Sequence, residues 1–209
     1  MRTYLAELKK FQEGLYAINW ITDDIVPPWP VEGVDLPRGP YAPAEAAAIE
    51  QWVAMRRADY SLATRVILST GARISEVHHL RADKIFVAEG RVELLGKGGK
   101  LRTIEVLNSE VLCQLDLAPK FVFLDVPHDP RWKDGLERYV RRACDDLGFQ
   151  RRGVHGLRGT AAGVFLDKQI AAGLSEQRGR RELAQWLGHN AQRVEVTYAY
   201  VPRRLCLPE

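Results

Sequence analysis

Cysteine is scarce in this sequence: three residues in 209, Cys113, Cys144 and Cys206, stand far apart. There is no CxxC pair and no Cys/His ligand cluster, so neither a disulfide framework nor a cysteine-held metal is expected, and an odd count fits reduced thiols. Apolar runs of about 18 residues are missing too. The N-terminus MRTYLAELKKFQEG is too charged for a signal peptide, and a cytosolic location is expected. No GxxxxGK[ST] occurs, which excludes a P-loop. No internal repeat, low-complexity stretch, catalytic carboxylate pair or metal-ligand set is found. Charge of one sign is not in excess: Lys+Arg 30 against Asp+Glu 27, a formal net of +3. That balance argues only weakly for nucleic acid and less for a membrane surface.

What is there suits one folded domain with an attached arm, since 46% of the residues are hydrophobic. Leu5, Leu8, Phe11, Leu15 and Ile18 recur at helical spacing over residues 1–22, an amphipathic helix in need of a partner surface. The stretch DDIVPPWPVEGVDLPRGPYAP reads as an extended linker. Residues 1–40 therefore read as a helix plus proline-rich linker, and residues 41–209 as the compact domain. Pro43 opens the helix AEAAAIEQWVAMRR. DYSLATRVILS is a second helix, capped by Gly71, and ISEVHHL a short third. Then the period changes: KIFV, RVELL and LRTIEV read as a three-stranded antiparallel meander. Helices follow at about 108–117, 131–148, 155–168, 175–187 and 191–201. The fold class is mainly α with a small antiparallel three-stranded sheet.

Four segments can carry chemistry. In HGLRGTAAG, His155 and Arg158 lie three apart, on one helix face. Arg158 offers a planar fork of donors suited to phosphate oxygens, and His155 exchanges protons near neutral pH. In STGARISEVHHL, Arg73 follows a helix stop, with Glu76 placed to hold its guanidinium. LLGKGGKLRTIEV sets Lys97 between glycines at a hairpin tip. In LGHNAQRVEVTYAYV, His189 follows a helix stop and precedes Tyr198 and Tyr200. Taken singly, each has a plain alternative: a helix cap, a surface salt bridge, a polar turn, an aromatic stripe in the core. Together they supply two guanidiniums, an ammonium, two imidazoles and a phenol. That set suits a phosphorane-like transition state, with arginines on the non-bridging oxygens and a phenol bonding covalently to phosphorus. Basic pairs recur as well, at Arg56-Arg57, Arg141-Arg142, Arg151-Arg152, Arg180-Arg181 and Arg203-Arg204. Each fits a solvated helix face; five on a nearly neutral chain suggest a focused positive surface.

The order and spacing of these segments, over about 70–201, resemble the tyrosine recombinase (phage integrase) family. The resemblance implies that Arg73 and Arg158 grip the scissile phosphate and that Lys97 protonates the leaving 5′ oxygen. It implies that His155 assists proton transfer, His189 hydrogen-bonds the phosphate, and Glu76 orients the site from behind. Lys100 sits where the family often has a second, DNA-facing lysine; Arg102, Arg151, Arg152, Arg180 and Arg181 are further candidates for DNA contact. A tyrosine would form a 3′-phosphotyrosine and free a 5′ hydroxyl, conserving bond energy, so no metal, ATP or other cofactor is implied. The implied partners are double-stranded DNA and, on it, further copies of the chain as dimer or tetramer, with little association away from DNA and no membrane. The implied setting is a bacterial or phage-encoded protein associated with the nucleoid.

Two residues on an α-helix turn about 200°, so Tyr198 and Tyr200 face opposite ways and one can enter the site. Periodicity does not choose. The family's usual spacing, nine residues after the Leu-Gly-His histidine, selects Tyr198 and leaves Tyr200 facing away; a threonine shortly before the nucleophile, as at Thr197, favours Tyr200. The chain departs from the family in carrying one helix where relatives have an N-terminal clamp domain, in its short tail, and in DKQIAAGLSEQRGRREL, which reads as an enlarged loop or helix near DNA. Two other activities fit the same motifs: a DNA-binding accessory protein that no longer recombines, and a DNA-relaxing enzyme of type IB topoisomerase kind.

Overall fold

The computed structural model describes residues 2–18, 20–22, 39–96, 98–117 and 131–202. Lys97 and residues 23–38 of the expected linker lie outside them. The chain divides into two units, Met1–Asp35 and Leu36–Glu209. The first holds α1 (Arg2–Ala17), a helix shorter than the expected 1–22. Leu8 and Phe11 of its apolar stripe are exposed, as are Ile18 and Trp20 beyond it.

The second unit begins with three helices, α2 (Pro43–Ala54), α3 (Ala58–Thr70) and α4 (Ile74–His78). Pro43 opens α2 because its missing N–H is one that a first turn has no partner for. The Glu45 carboxylate takes the Ala42 N–H at 2.8 Å. α3 stops at Gly71, whose φ of +57° is left-handed. Glycine is required there twice over, since a Cβ would stand 2.4 Å from the Trp186 ring.

The meander comprises β1 (Ile85–Phe86), β2 (Arg91–Leu95) and β3 (Leu101–Glu105), paired antiparallel in that order. Val92 faces Ile104 and Leu94 faces Arg102 across the β2–β3 ladder. Val92, Leu94 and Ile104 form its buried face. Among the described residues four α-helices follow: α5 (Ser109–Asp116), α6 (Trp132–Leu147), α7 (Gly153–Ala171) and α8 (Glu176–Trp186). α7 is central, packing against α3, α6 and α8. Ile49, Val53, Val66, Ile67, Leu136, Val140, Leu157 and Leu183 are all 0% exposed, and with Val77 of α4 and Leu112 of α5 they belong to one continuous core. Each such burial stabilises by roughly 1.5–3 kcal/mol. Gly156 lets the strand-like entry at Tyr41 lie directly on α7, where a Cβ would meet the Tyr41 ring at 2.6 Å.

Two expectations change. The DKQIAAGLSEQRGRREL stretch forms no extra element: α7 runs on to Ala171, and α8 starts at Glu176 after a short turn with Ser175 as cap. The expected helix over 191–201 is instead a 3-10 helix, Val194–Ala199. Tighter winding turns residues two apart by about 240°, so the tyrosines still diverge.

Candidate active site

The site grows from helix ends. At the C-terminus of α8, Gly188 takes a left-handed φ of +77°. The N–H groups of Gly188 and His189 return to Gln185 O and Ala184 O, each at 2.8 Å. This doubly bonded helix stop aims His189 away from the α8 axis. It leaves the carbonyls of Trp186 and Leu187 without helical partners. Guanidiniums take both: Arg102 Nη1 donates to Trp186 O, and Arg158 Nη2 to Leu187 O at 2.7 Å. Arg158 Nη1 donates in turn to Gly71 O, at the end of α3. Arg158 is thus held between the negative ends of two helices, a favourable place for a cation.

Glu76, with its side chain 1% exposed, is the hub. Its carboxylate accepts from the Arg73 backbone N–H at 2.7 Å and Arg73 Nη1 at 2.9 Å. Arg102 Nη2 donates at 2.7 Å and Nε at 3.3 Å, and Arg158 Nη1 lies 3.8 Å away. Burial pushes the Glu76 carboxyl up, but the Arg102 hydrogen bond and charge, the Arg73 N–H and the Arg158 charge outweigh it and hold it below the usual range. Burial lowers both cations: Arg102 falls despite Glu76, and Arg158 is pushed to about 10, against the pull of Tyr200 and with Arg73 and Arg102 adding to the fall. Both stay charged at neutral pH. Three cations around one anion leave a net of two positive charges.

His189 Nε2 lies 3.4 Å from Arg73 Nη2. Burial, then the charges of Arg73 and Arg158, push its pKa down to about 4. The ring is therefore neutral, and since a guanidinium only donates, Nε2 is the acceptor. His155 is exposed on α7, one turn from Arg158.

The two tyrosines separate at this point. The Tyr200 ring lies 5.2 Å from Arg158 Cζ, 4.9 Å from the His155 ring and 6.4 Å from the His189 ring. Tyr198 points the other way, 4.0 Å from Arg180 Cζ, into a cleft of about 610 Å³ lined by Gln177, Arg181 and Gln192. The family's spacing selected Tyr198 for the site; in the structure it is the Tyr200 ring that lies beside Arg158 and His155, while the Tyr198 ring lies over Arg180.

Arg73, Glu76, His155, Arg158 and His189 come together as expected from the sequence. Lys97 lies outside the described residues, but the turn begins beside the site: a Cβ at Gly96 would stand 3.5 Å from Glu76 Oε1. Arg102 and Arg180 are corrections. Arg102, expected at DNA, is buried on Glu76, with its side chain 13% exposed. Strand alternation held the signal, since Arg102 shares a face with Ile104 two residues on. Arg180, 1% exposed, cannot meet DNA either. Arg151, paired with Asp145, is exposed, as are Lys100 and Arg181; Arg152 is half-buried against Gln150. Among the described residues no group of histidine, cysteine or carboxylate side chains could hold a metal, and no helix is long and apolar enough to cross a membrane.

The sequence profile described as "Phage integrase family" matches residues 46–202. No curated protein matches the sequence with significance. Among solved structures, the chain is similar to lambda integrase bound to DNA, with 19% identity over 91% of this chain and 70% of that one, at a TM-score of 0.66. A lambda integrase dimer bound to a COC′ core site gives 19% identity, 92% and 58% coverage, and 0.65. XerA recombinase gives 20% identity, 89% and 65% coverage, and 0.58. The chain spans less than two thirds of the length of the latter two, and these likenesses establish the fold.

Proposed function

The chain belongs to the phage integrase family, and from that membership we propose that it cleaves and rejoins DNA strands through a 3′-phosphotyrosine, with Tyr200 as nucleophile. The observation that carries this reading is the cluster itself: three guanidiniums on one buried carboxylate, with the Tyr200 ring against Arg158. Two net positive charges, fixed before substrate arrives, match the two negative charges of a phosphorane. Arg73 is accessible, its side chain 31% exposed. Arg158 keeps one buried donor, Nε, without a partner among the described residues, and a phosphate oxygen would satisfy it.

In the reaction the Tyr200 oxygen attacks phosphorus and the bond to the 5′ oxygen breaks. His155, nearest to the Tyr200 ring, takes the phenol proton. Neutral His189 binds a phosphate oxygen through a ring N–H, and Arg73 accompanies it. Arg102 acts from behind, fixing Glu76 and so both catalytic arginines. Lys97 is assigned as donor to the leaving 5′ oxygen on the resemblance alone. The products are a phosphotyrosine and a 5′ hydroxyl; attack by a 5′ hydroxyl reverses the step, and no cofactor enters. Because the similar structures include a lambda integrase dimer on a core site and a tetramer on a Holliday junction, we extend DNA and self-association on it to this chain.

The test is a nicked suicide duplex built on a sequence that the protein selects from a random pool. Wild type and Tyr198→Phe should form a covalent adduct, and Tyr200→Phe should form none. An adduct retained by Tyr200→Phe sinks the assignment; DNA selection without any adduct from wild type points to a binding protein.

A further inference from the structure

Arg180 sits on α8 outside the arginine cluster, yet it is 1% exposed. A guanidinium is costly to desolvate, so its partners should explain its place. Nε donates to Glu176 Oε1 at 2.8 Å, but Glu176 is half in solvent, its side chain 55% exposed. Nη1 donates to Thr197 Oγ1 at 3.3 Å and to Val201 O at 3.0 Å. The Tyr198 ring covers Cζ at 4.0 Å. Thr197 and Tyr198 lie on the 3-10 segment and Val201 lies two residues beyond its end, so these contacts bracket Tyr200 on both sides. Thr197, 0% exposed, ties the segment further: its carbonyl accepts from the N–H groups of Tyr200 at 3.1 Å and Val201 at 2.8 Å.

A 3-10 helix this short holds its own shape poorly. Turned about 240° from its neighbour two positions on, Tyr198 can reach Arg180 only when Tyr200 faces Arg158. We propose that Arg180 is a positioning residue: by gripping Thr197, Tyr198 and Val201 it fixes the rotation of the segment that presents Tyr200 to the reacting phosphate. Tyr198 acts as the ring covering that grip and does no chemistry of its own. This rests on Tyr200 being the nucleophile.

The test uses the full chain and the same nicked duplex, measuring DNA affinity, melting temperature and the single-turnover rate of adduct formation at saturating DNA. Arg180→Met should slow adduct formation on the order of 100-fold, the scale of a misplaced reacting group, with DNA affinity unchanged. Arg180→Lys should recover part of the rate through a bond to Val201 O. Thr197→Val, which keeps shape and removes the two hydrogen bonds of the hydroxyl, from Arg180 Nη1 and to Val194 O, should slow the step about 10-fold. Tyr198→Phe, which keeps the ring over Arg180, should leave the rate unchanged. Adduct formation at the wild-type rate in Arg180→Met overturns the proposal. So does a loss of affinity, melting temperature and rate together, which would mark a merely structural residue. If Arg180→Met does not fold, Thr197→Val decides, and a wild-type rate there overturns it. A wild type that forms no adduct, or forms it without Tyr200, instead refutes the functional reading on which the proposal stands.

Discussion

Replacing Glu76 with glutamine keeps the shape of the hub and removes its charge. The Arg73, Arg102 and Arg158 guanidiniums then face one another with no anion among them. Arg102 is nearly buried and Arg158 is 2% exposed, so water cannot screen them. Taking one partner from a buried charge network costs about 3–5 kcal/mol. At about 2–4 °C per kcal/mol for a chain of this size, the melting temperature should fall by roughly 6–20 °C at pH 7. The pH dependence is the sharper signature. The folded Glu76 carboxyl titrates below its ordinary value, so its contribution is full above the unfolded pKa, near 4.5, and is lost as pH falls through the lower, folded value. Melting curves of wild type and Glu76→Gln, followed by circular dichroism from pH 7 down to pH 3, should therefore converge on acidification. Equal melting temperatures at pH 7, or a gap that does not shrink with acid, would refute the network's energetic role.

His189, with its pKa near 4, should titrate by NMR well below the ordinary histidine value of 6.5, its resonance identified by its loss in His189→Gln. Unfolded His189 binds its proton first, so this group makes the fold lose stability as pH falls from about 6.5 toward 4; a midpoint near 6.5 would contradict the burial argument. Gly156→Ala places a methyl 2.6 Å from both the Tyr41 ring and Arg152 Cβ. Overpacking of about 1–3 kcal/mol should then outweigh the helix gain of about 1 kcal/mol, and denaturant titration should show net destabilisation or none, with a more stable variant refuting it.

How much of this was legible beforehand differs by residue. The turn at Gly71, the meander from Ile85 to Glu105 and the His155–Arg158 pair follow from local rules of period, capping and helix spacing. Those rules do not need the rest of the fold. Arg102 needed one inference more, that its strand face is the buried face. The two tyrosines were beyond local rules. Their divergence was legible, but which of them meets the arginines depends on Arg180, whose burial comes from packing between α8 and a segment that follows it in sequence. Spacing counted from His189 carries no information on that contact, which joins α8 to a 3-10 turn beginning only at Val194.

The most direct measurement is to trap the covalent complex on a nicked duplex, digest it with trypsin and nuclease, and sequence by tandem mass spectrometry the peptide that contains both Tyr198 and Tyr200. The account predicts a nucleotide remnant on Tyr200 and an unmodified Tyr198. A remnant on Tyr198 would contradict it.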